Sequence, residues 1–173
     1  MLIQIRPETP SDYPGITAVN DQAFGQSNEG LLIEKLRSNP AFIPGLSLVA
    51  DLAGMVVGHI LFFPIEINQE AASFPSLALA PMAVLPDYQR KGIGGQLVRK
   101  GLEKATALGF ESVIVLGHKD YYPGFGFAPA SRWEIKSPFD VPQEVFMAIA
   151  LVPDGLKDVS GMVKYPKEFE EVG

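Results

Sequence analysis

The chain has 173 residues, 47% of them hydrophobic and 20% charged, which is the composition of a globular domain. Its net charge of −6 lacks the basic footprint of a nucleic-acid-binding protein, so nucleic acid is not among its predicted partners. It contains no cysteine and two histidines, which excludes disulfides and cysteine nucleophiles and argues against a metal site. We therefore predict one domain, residues 1–173, that holds no metal.

The predicted location is the cytoplasm. The N-terminal residues lack the apolar run of a signal peptide. The longest apolar stretch, residues 55–67, is interrupted by polar residues and a proline, and it is too short to span a bilayer. No membrane partner is predicted, and a homodimer stays open.

The first predicted elements are a strand and two helices. Residues Leu2 to Pro7 alternate in apolar character and predict a strand. A helix follows, with Thr9 or Ser11 as its N-cap and Gly25 at its end. The stretch "NEGLLIEKLRSNP" predicts a second helix, which the Asn-Pro pair stops.

The middle of the chain predicts antiparallel strands and then one parallel unit. The runs "LSLVAD" and "MVVGHILFFPIEI" indicate a hairpin across "LAG". The run "ASFPSLALAPMAVLP" predicts the next strand, and the long helix after it ends at Gly109. The apolar run "FESVIVLG" is typical of a central strand buried on both faces. The predicted inner face of the helix consists of Ile93, Leu97, Gly101, Leu102, Ala105 and Leu108.

The order of the elements predicts a mixed α/β or α+β fold. After the central strand, "HKDYYPGFGF" indicates a short helix or turn and "EVFMAIAL" a late strand. An antiparallel front half is thus joined to one parallel βαβ unit between residues 76 and 117.

The stretch "VLPDYQRKGIGGQLV" places three glycines where a helix begins. A helix N-terminus leaves backbone N–H groups unpaired and carries a partial positive charge. Glycines there remove the side chains that would keep an anion away, and Arg90 and Lys91 add charge. These features predict a cradle for a diphosphate.

Several motifs compete for this turn. A P-loop needs a lysine and then Ser or Thr after its second glycine, where this chain has Gly95 and Gln96. A dinucleotide-binding fingerprint lacks its third glycine here, because position 97 is leucine. The pattern Q/R-x-x-G-x-G/A is satisfied by Gln89, Gly92 and Gly94. A solvated glycine-rich turn without a ligand explains the hexapeptide equally well.

The strand before the turn contains Pro81, which donates no ladder hydrogen bond and predicts a bulge. A bulge would separate this strand from the one at "SVIVLG" and expose backbone groups beside the diphosphate cradle. An extended, amide-bearing arm would pair there as an added strand. A diphosphate joined to such an arm describes coenzyme A.

These segments resemble the GNAT superfamily of N-acetyltransferases. "MAVLPDYQRKGIGGQLV" resembles its fourth strand and acyl-CoA-binding segment, and "LVADLAGMVVGHILF" its antiparallel strand pair. "DYYPGFGF" resembles its Y-x-x-x-G-F segment, and together with "VPQEVFMAIAL" it is similar to the YhbS-like subgroup. The resemblance covers about residues 3–151. It implies a mostly antiparallel sheet with a V-shaped splay between strands 4 and 5, and helices on both faces.

The resemblance implies transfer of an acetyl group from acetyl-CoA to a primary amine of a small molecule or peptide, by direct attack and without a metal. Tyr122 falls at the family's general acid. Many relatives carry an asparagine shortly before this tyrosine, where the chain reads "GHKD", so His118 or main chain is the predicted substitute. The predicted cofactor-binding residues are Met82, Ala83, Val84, Gln89, Arg90, Lys91, Gly92, Ile93, Gly94, Gly95, Gln96, His118, Tyr121 and Phe125.

The general base and the acceptor are not determined by the sequence. Asp21, Glu29 and Glu34 are candidate bases, although each is better explained as a solvated helix residue. His59 fits a core or cleft-wall histidine better than a base. The resemblance implies an acceptor pocket built from about residues 22–40 and 128–145. Two alternatives stay open: a non-catalytic acyl-CoA-binding module and a dinucleotide-dependent oxidoreductase. Tyr122 is also explained by aromatic packing against Phe125 and Phe127.

Overall fold

The computed structural model describes residues 2–171, which contain four α-helices and nine strands. The helices are Tyr13–Phe24 (α1), Asn28–Arg37 (α2), Ile93–Ala107 (α3) and Glu168–Glu171 (α4). The strands are Gln4–Pro7 (β1), Ser47–Leu52 (β2), Met55–Asn68 (β3), Ser73–Val84 (β4), Ser112–Leu116 (β5), Ala128–Pro129 (β6), Ile135–Lys136 (β7), Phe146–Ala150 (β8) and Gly161–Lys164 (β9).

The chain forms two compact units. The described residues of the first unit are 2–63, 80–104 and 167–171, and the second unit consists of residues 64–79 and 105–166. β3, β4 and α3 each contribute residues to both units. The single domain expected from the sequence stays a prediction.

In the first unit, β1 pairs antiparallel with β2, and β2 pairs antiparallel with β3. The β2–β3 hairpin is the one predicted from the sequence. Successive residues of β3 face opposite sides of the sheet. Gly58 lies against Leu97 of α3, and Phe62 lies against Gly101 of the same helix. The other face carries a core cluster in which α1 and α2 cover the strands: Ile16, Ile33, Leu36, Val49, Leu61 and Phe63. Helices therefore lie on both faces of this sheet, as predicted.

In the second unit, β4 pairs parallel with β5 through residues 77–79 and 113–115. β5 pairs antiparallel with β8, which also pairs with β6. β9 pairs antiparallel with β3 and parallel with β7. The parallel βαβ unit, with α3 between β4 and β5, is confirmed. The central character of β5 is confirmed too, because Ser112–Val115 are buried.

The boundaries differ from the prediction in a few places. Leu108 was expected on the inner face of α3, but it is 55% exposed, because the helix ends at Ala107 and Gly109 turns the chain with φ of +93°. β6, β7, β9 and α4 were not predicted. β4 runs through Pro81, whose peptide bond with Ala80 is cis. The splay of strands 4 and 5 stays a prediction.

Candidate active site

The predicted site residues form two groups, one in each unit. Met82–Val84 and Gln89–Gln96 belong to the first unit, and His118, Tyr121, Tyr122 and Phe125 belong to the second.

The loop from β4 to α3 is fixed to the sheet by hydrogen bonds of the first unit. Leu85 N–H donates to the Val57 carbonyl at 2.9 Å, and Tyr88 N–H donates to the Leu85 carbonyl at 2.8 Å. The side-chain amide of Gln89 donates to the Val84 carbonyl at 3.0 Å. Gln89 therefore holds the loop on the last residue of the strand.

The backbone of this loop is unusual at two positions. Arg90 has φ of +64° and Gly92 has φ of +83°. A residue other than glycine in this conformation stores strain on the order of 1–3 kcal/mol, and such strain is concentrated at functional sites. A Cβ placed on Gly92 would meet no protein atom within 4 Å, so the space above this residue is open to a ligand. Glycine is needed here for its conformation.

α3 begins directly after this loop. Gln96 N–H donates to the Gly92 carbonyl at 3.1 Å, so the N–H groups of residues 93–95 have no acceptor inside the helix. The first turn carries no acidic side chain, whereas Arg90 and Lys91 are exposed just before it. The helix dipole, the unpaired N–H groups and the two cations together favour an anion. A diphosphate fits this arrangement.

The strand that leads into the loop is well packed. Ala83 and Val84 are buried, and Met82 is half-buried. The predicted pairing of these three residues with the pantetheine arm uses their backbone N–H and carbonyl groups. Burial of their side chains therefore does not prevent it.

Tyr122 lies in the second unit, in a short 3₁₀ turn over residues 122–125. Its side chain is 6% exposed, and its ring meets Tyr121 and Phe127 edge-on at centroid distances of 5.1 and 5.6 Å. A Cβ on Gly117 would overlap the Tyr122 ring, so the ring needs a glycine at the end of β5. Tyr122 is therefore held in one position by packing.

Burial, with a smaller contribution from Tyr121, raises the pKa of Tyr122 to about 12. The phenol is protonated at neutral pH, as a proton donor must be. The reference pKa of a thiol, about 8.5 for cysteine, lies well below that of this phenol, so full proton transfer from Tyr122 to a free thiolate is uphill. This tyrosine is better suited to donating a hydrogen bond that strengthens as charge develops on sulfur.

The residues around Tyr122 contribute main chain and rings. The His118 carbonyl accepts from Tyr121 N–H at 3.1 Å and from Tyr122 N–H at 3.3 Å, and the His118 side chain is exposed. Tyr121 is 37% exposed and meets Phe125 edge-on at 5.2 Å. The Tyr121 ring thus offers a partly open aromatic surface.

The three candidate bases lie in different environments. One carboxylate oxygen of Asp21, Oδ1, is buried without a hydrogen-bond partner among the described residues, and it lies against Gly30 of α2. Both oxygens of Glu29 accept from the Gln26 amide at 3.1 Å. Glu34 is exposed. Among these three carboxylates, only that of Asp21 has a buried oxygen without a hydrogen-bond partner within residues 2–171.

His59 belongs to a buried polar network that sequence reasoning missed. Arg37 donates to the Glu8 carboxylate at 2.8 and 3.1 Å, and the Ser47 hydroxyl also donates to that carboxylate. Because the Ser47 proton points to Glu8, the Ser47 oxygen accepts the Nε2–H of His59 at 2.9 Å. His59 is fully buried, and its burial and the nearby Arg37 charge lower its pKa to about 3. His59 is therefore a neutral core histidine, as preferred from the sequence, and its 3.9 Å approach to Glu8 is not an ion pair.

No group of three or more metal-ligating side chains is found within residues 2–171. The helices in the same residues include none that is long and apolar enough to cross a membrane.

Comparison with known proteins defines the class. Residues 13–127 match the acetyltransferase (GNAT) family, so the chain belongs to that family. It is 42% identical to the uncharacterized N-acetyltransferase YjhQ of Escherichia coli over 135 residues, which are 78% of this chain and 75% of YjhQ. It is 32% identical to the uncharacterized N-acetyltransferase YhbS of E. coli over 165 residues, 95% of this chain and 97% of YhbS.

Two solved structures agree with this assignment. The E. coli YhbS crystal structure in complex with CoA has a TM-score of 0.91 and 31% identity, covering 99% of this chain and 93% of that one. A GNAT acetyltransferase from Brucella melitensis in complex with acetyl-CoA has a TM-score of 0.78 and 33% identity, covering 97% and 98%. The chain thus has the GNAT fold and falls in the YhbS-like subgroup, as its motifs predicted. This membership removes the oxidoreductase alternative.

Proposed function

We propose that this protein transfers the acetyl group of acetyl-CoA to a primary amine. The observation that carries the proposal is the β4–α3 loop, where an open, left-handed Gly92 and unpaired helix N–H groups meet two cations. The CoA and acetyl-CoA held by the YhbS and Brucella structures support the same cosubstrate.

In this proposal, backbone groups of Met82–Val84 pair with the pantetheine arm, and Gln89–Gln96 wrap the diphosphate. Gln89 acts by fixing the loop, since its side-chain amide already donates to Val84. Backbone N–H groups at the start of α3 then supply the main contacts to phosphate, and Arg90 and Lys91 add electrostatic attraction. His118, Tyr121 and Phe125 contribute main chain and ring contacts to the cofactor.

The reaction is direct acyl transfer. The amine nitrogen attacks the thioester carbonyl carbon, a C–N bond forms, and the carbonyl electron pair moves to oxygen. A backbone N–H of Met82 or Ala83 stabilises that oxyanion. When the intermediate collapses, the carbonyl re-forms and the C–S bond breaks, and the Tyr122 hydroxyl acts as general acid by sharing its proton with the departing sulfur in a hydrogen bond that strengthens as negative charge develops there. The attacking nitrogen is positively charged in the intermediate and loses its extra proton to a base, for which Asp21 is the candidate with an unsatisfied oxygen, so that overall nitrogen loses one proton and sulfur gains one.

The second candidate function is a non-catalytic acyl-CoA-binding module, which keeps the loop and lacks turnover. A thiol-release assay with acetyl-CoA and a panel of primary amines and peptides separates the two. Thiol release that depends on an amine supports the transferase. Tight acetyl-CoA binding without release from any amine supports the module.

The remaining parts of the proposal concern partners and place. We propose a small-molecule or peptide acceptor and a cytoplasmic location. Sedimentation of the purified protein with and without acetyl-CoA distinguishes a monomer from a homodimer.

A further inference from the structure

The second unit contains a cavity of about 770 Å³, within the range of sites for small molecules. Its walls come from three segments: the turn between β3 and β4, residues 131–146, and residues 160–162. None of these residues is among the predicted cofactor-binding residues. The lining includes Glu70, Glu134, Ile135, Lys136, Phe139 and Phe146.

Hydrogen bonds between these segments hold the cavity walls together. Gly161 N–H donates to the Glu134 carbonyl at 3.1 Å, and β7 pairs with β9 beside it. The Gln69 amide donates to the Ser160 hydroxyl at 2.7 Å. Gly161 has φ of +125°, and a Cβ there would overlap the Asn68 carbonyl, so the backbones meet closely. The cavity is thus a built feature of the unit.

The lining combines an apolar floor with a charged rim. Ile135 and Phe146 are buried, and the Phe139 ring packs on Tyr165 at a centroid distance of 5.1 Å. The rim carries the carboxylates of Glu70 and Glu134 and the ammonium of Lys136. Within residues 2–171, none of these three side chains makes an ion pair or a hydrogen bond. With two carboxylates and one ammonium, the lining has a formal charge of −1.

We propose that this cavity binds an organic cation, a primary ammonium attached to an apolar body. Such a ligand buries its apolar part on the floor and neutralises the rim. The face of an aromatic ring such as Phe139 also attracts a cation. An anion of the same shape would be repelled by two carboxylates and attracted by one ammonium, so it should bind more weakly than the cation. The lining alone carries this inference, so it does not depend on acyl transfer.

The cation has two candidate sources, the acyl acceptor and a ligand that does not react. Phe146 of the cavity wall directly follows Val145, whose carbonyl accepts Gly117 N–H at 2.9 Å, and Gly117 lies against the Tyr122 ring. One wall thus adjoins the strand end that positions the proposed general acid. The experiment therefore includes a second part, the reaction arm, in which thiol release is measured in the presence of acetyl-CoA.

The test uses 2-phenylethylamine as the probe, with 3-phenylpropanoate and 2-phenylethanol as the anionic and neutral comparisons. Each is titrated into the full-length protein without acetyl-CoA, and backbone amide shifts are followed by NMR. The expected result is saturable shifts at Glu134, Ile135 and Gly161, with the amine binding tightest. Equal binding of the anion, or no saturable shift at these residues, would overturn the proposal.

Matched variants locate the charge. Glu134→Gln should weaken amine binding about threefold and the Glu70→Gln/Glu134→Gln double variant about tenfold, the scale of exposed ion pairs. Glu66→Gln, which removes an exposed carboxylate of β3 outside the cavity lining, should change nothing. An unchanged affinity in the double variant would contradict the assignment.

The reaction arm adds acetyl-CoA and follows thiol release. Release that the double variant slows identifies the cation as the acyl acceptor. Binding without release identifies a separate ligand, and both results support the cation site. Failure of acetyl transfer with every amine would leave the NMR result standing, so the two proposals fail independently.

Discussion

Replacement of Gly92 by alanine tests the diphosphate cradle, because the structure separates two effects of the added methyl group. Gly92 has φ of +83°, which costs an alanine about 1–2 kcal/mol. For a chain of this length, that cost corresponds to a fall in Tm of about 2–8 °C. The methyl group itself meets no protein atom within 4 Å, so no clash adds to the strain. In the open space above Gly92, however, it would stand where we propose that the diphosphate lies.

Gly54 provides the matched control. It has φ of +90° in the β2–β3 hairpin and is also without neighbours within 4 Å of a Cβ. Gly54→Ala should therefore lose similar stability while leaving the affinity for acetyl-CoA unchanged. Calorimetry should show a loss of tenfold or more for Gly92→Ala, on the order of 1.4 kcal/mol or more, and a larger loss for Gly92→Val. Equal affinities in the Gly54 and Gly92 variants would refute the cradle.

Two further predictions concern stability. Gly101→Ala places a methyl group on the Phe62 ring and should lower the free energy of unfolding by about 1–3 kcal/mol in urea, and adding Phe62→Leu should restore part of it; an unaffected single variant would show that α3 shifts freely. The lowered pKa of His59, about 3 against 6.5, means that the unfolded chain binds a proton that the folded chain does not between these values, so stability is full above pH 6.5 and falls as the pH drops toward 3. The slope approaches about 1.4 kcal/mol per pH unit, and His59→Gln should flatten it in urea titrations between pH 4 and 6; an equal slope in both proteins would contradict the neutral core assignment. The pKa of Asp12 is lowered from 3.8 to about 2, chiefly by its hydrogen bond from Arg6. The stability that Asp12 contributes is therefore lost only as the pH falls from about 3.8 to about 2. Asp12→Asn should leave the slope of unfolding free energy between pH 4 and 6 unchanged.

Local signals in the sequence predicted the elements that position the loop. The hairpin of β2 and β3, the helix ends at Gly25 and Gly109, and the βαβ unit all follow from periodicity and turn residues a few positions apart. β7 and β9 have two and four residues, too few for any periodic pattern, and they form by pairing with distant strands: β7 with β9, and β9 with both β3 and β7. Their pairing also forms the cavity, which no local pattern indicated.

The buried network around His59 could not be predicted from the sequence either. Ser47 meets Glu8 from 39 positions away and His59 from 12 positions away. No spacing rule connects such residues, because the tertiary fold alone brings them together. His59 within an apolar strand was nevertheless a usable signal, since a buried histidine needs a partner. The role of Tyr122 came from its motif, and its raised pKa could only come from the surrounding rings.

The most direct test of the proposed function is turnover by Tyr122→Phe. Phenylalanine keeps the ring against Tyr121 and Phe127 and removes only the hydroxyl group. We expect kcat for thiol release to fall by about 100-fold or more, the scale for a general acid, while acetyl-CoA affinity changes little. Tyr121→Phe, which alters the neighbouring ring in the same way, should have a far smaller effect on kcat. Full turnover by Tyr122→Phe would contradict the account, and Tyr122 would then be a packing residue.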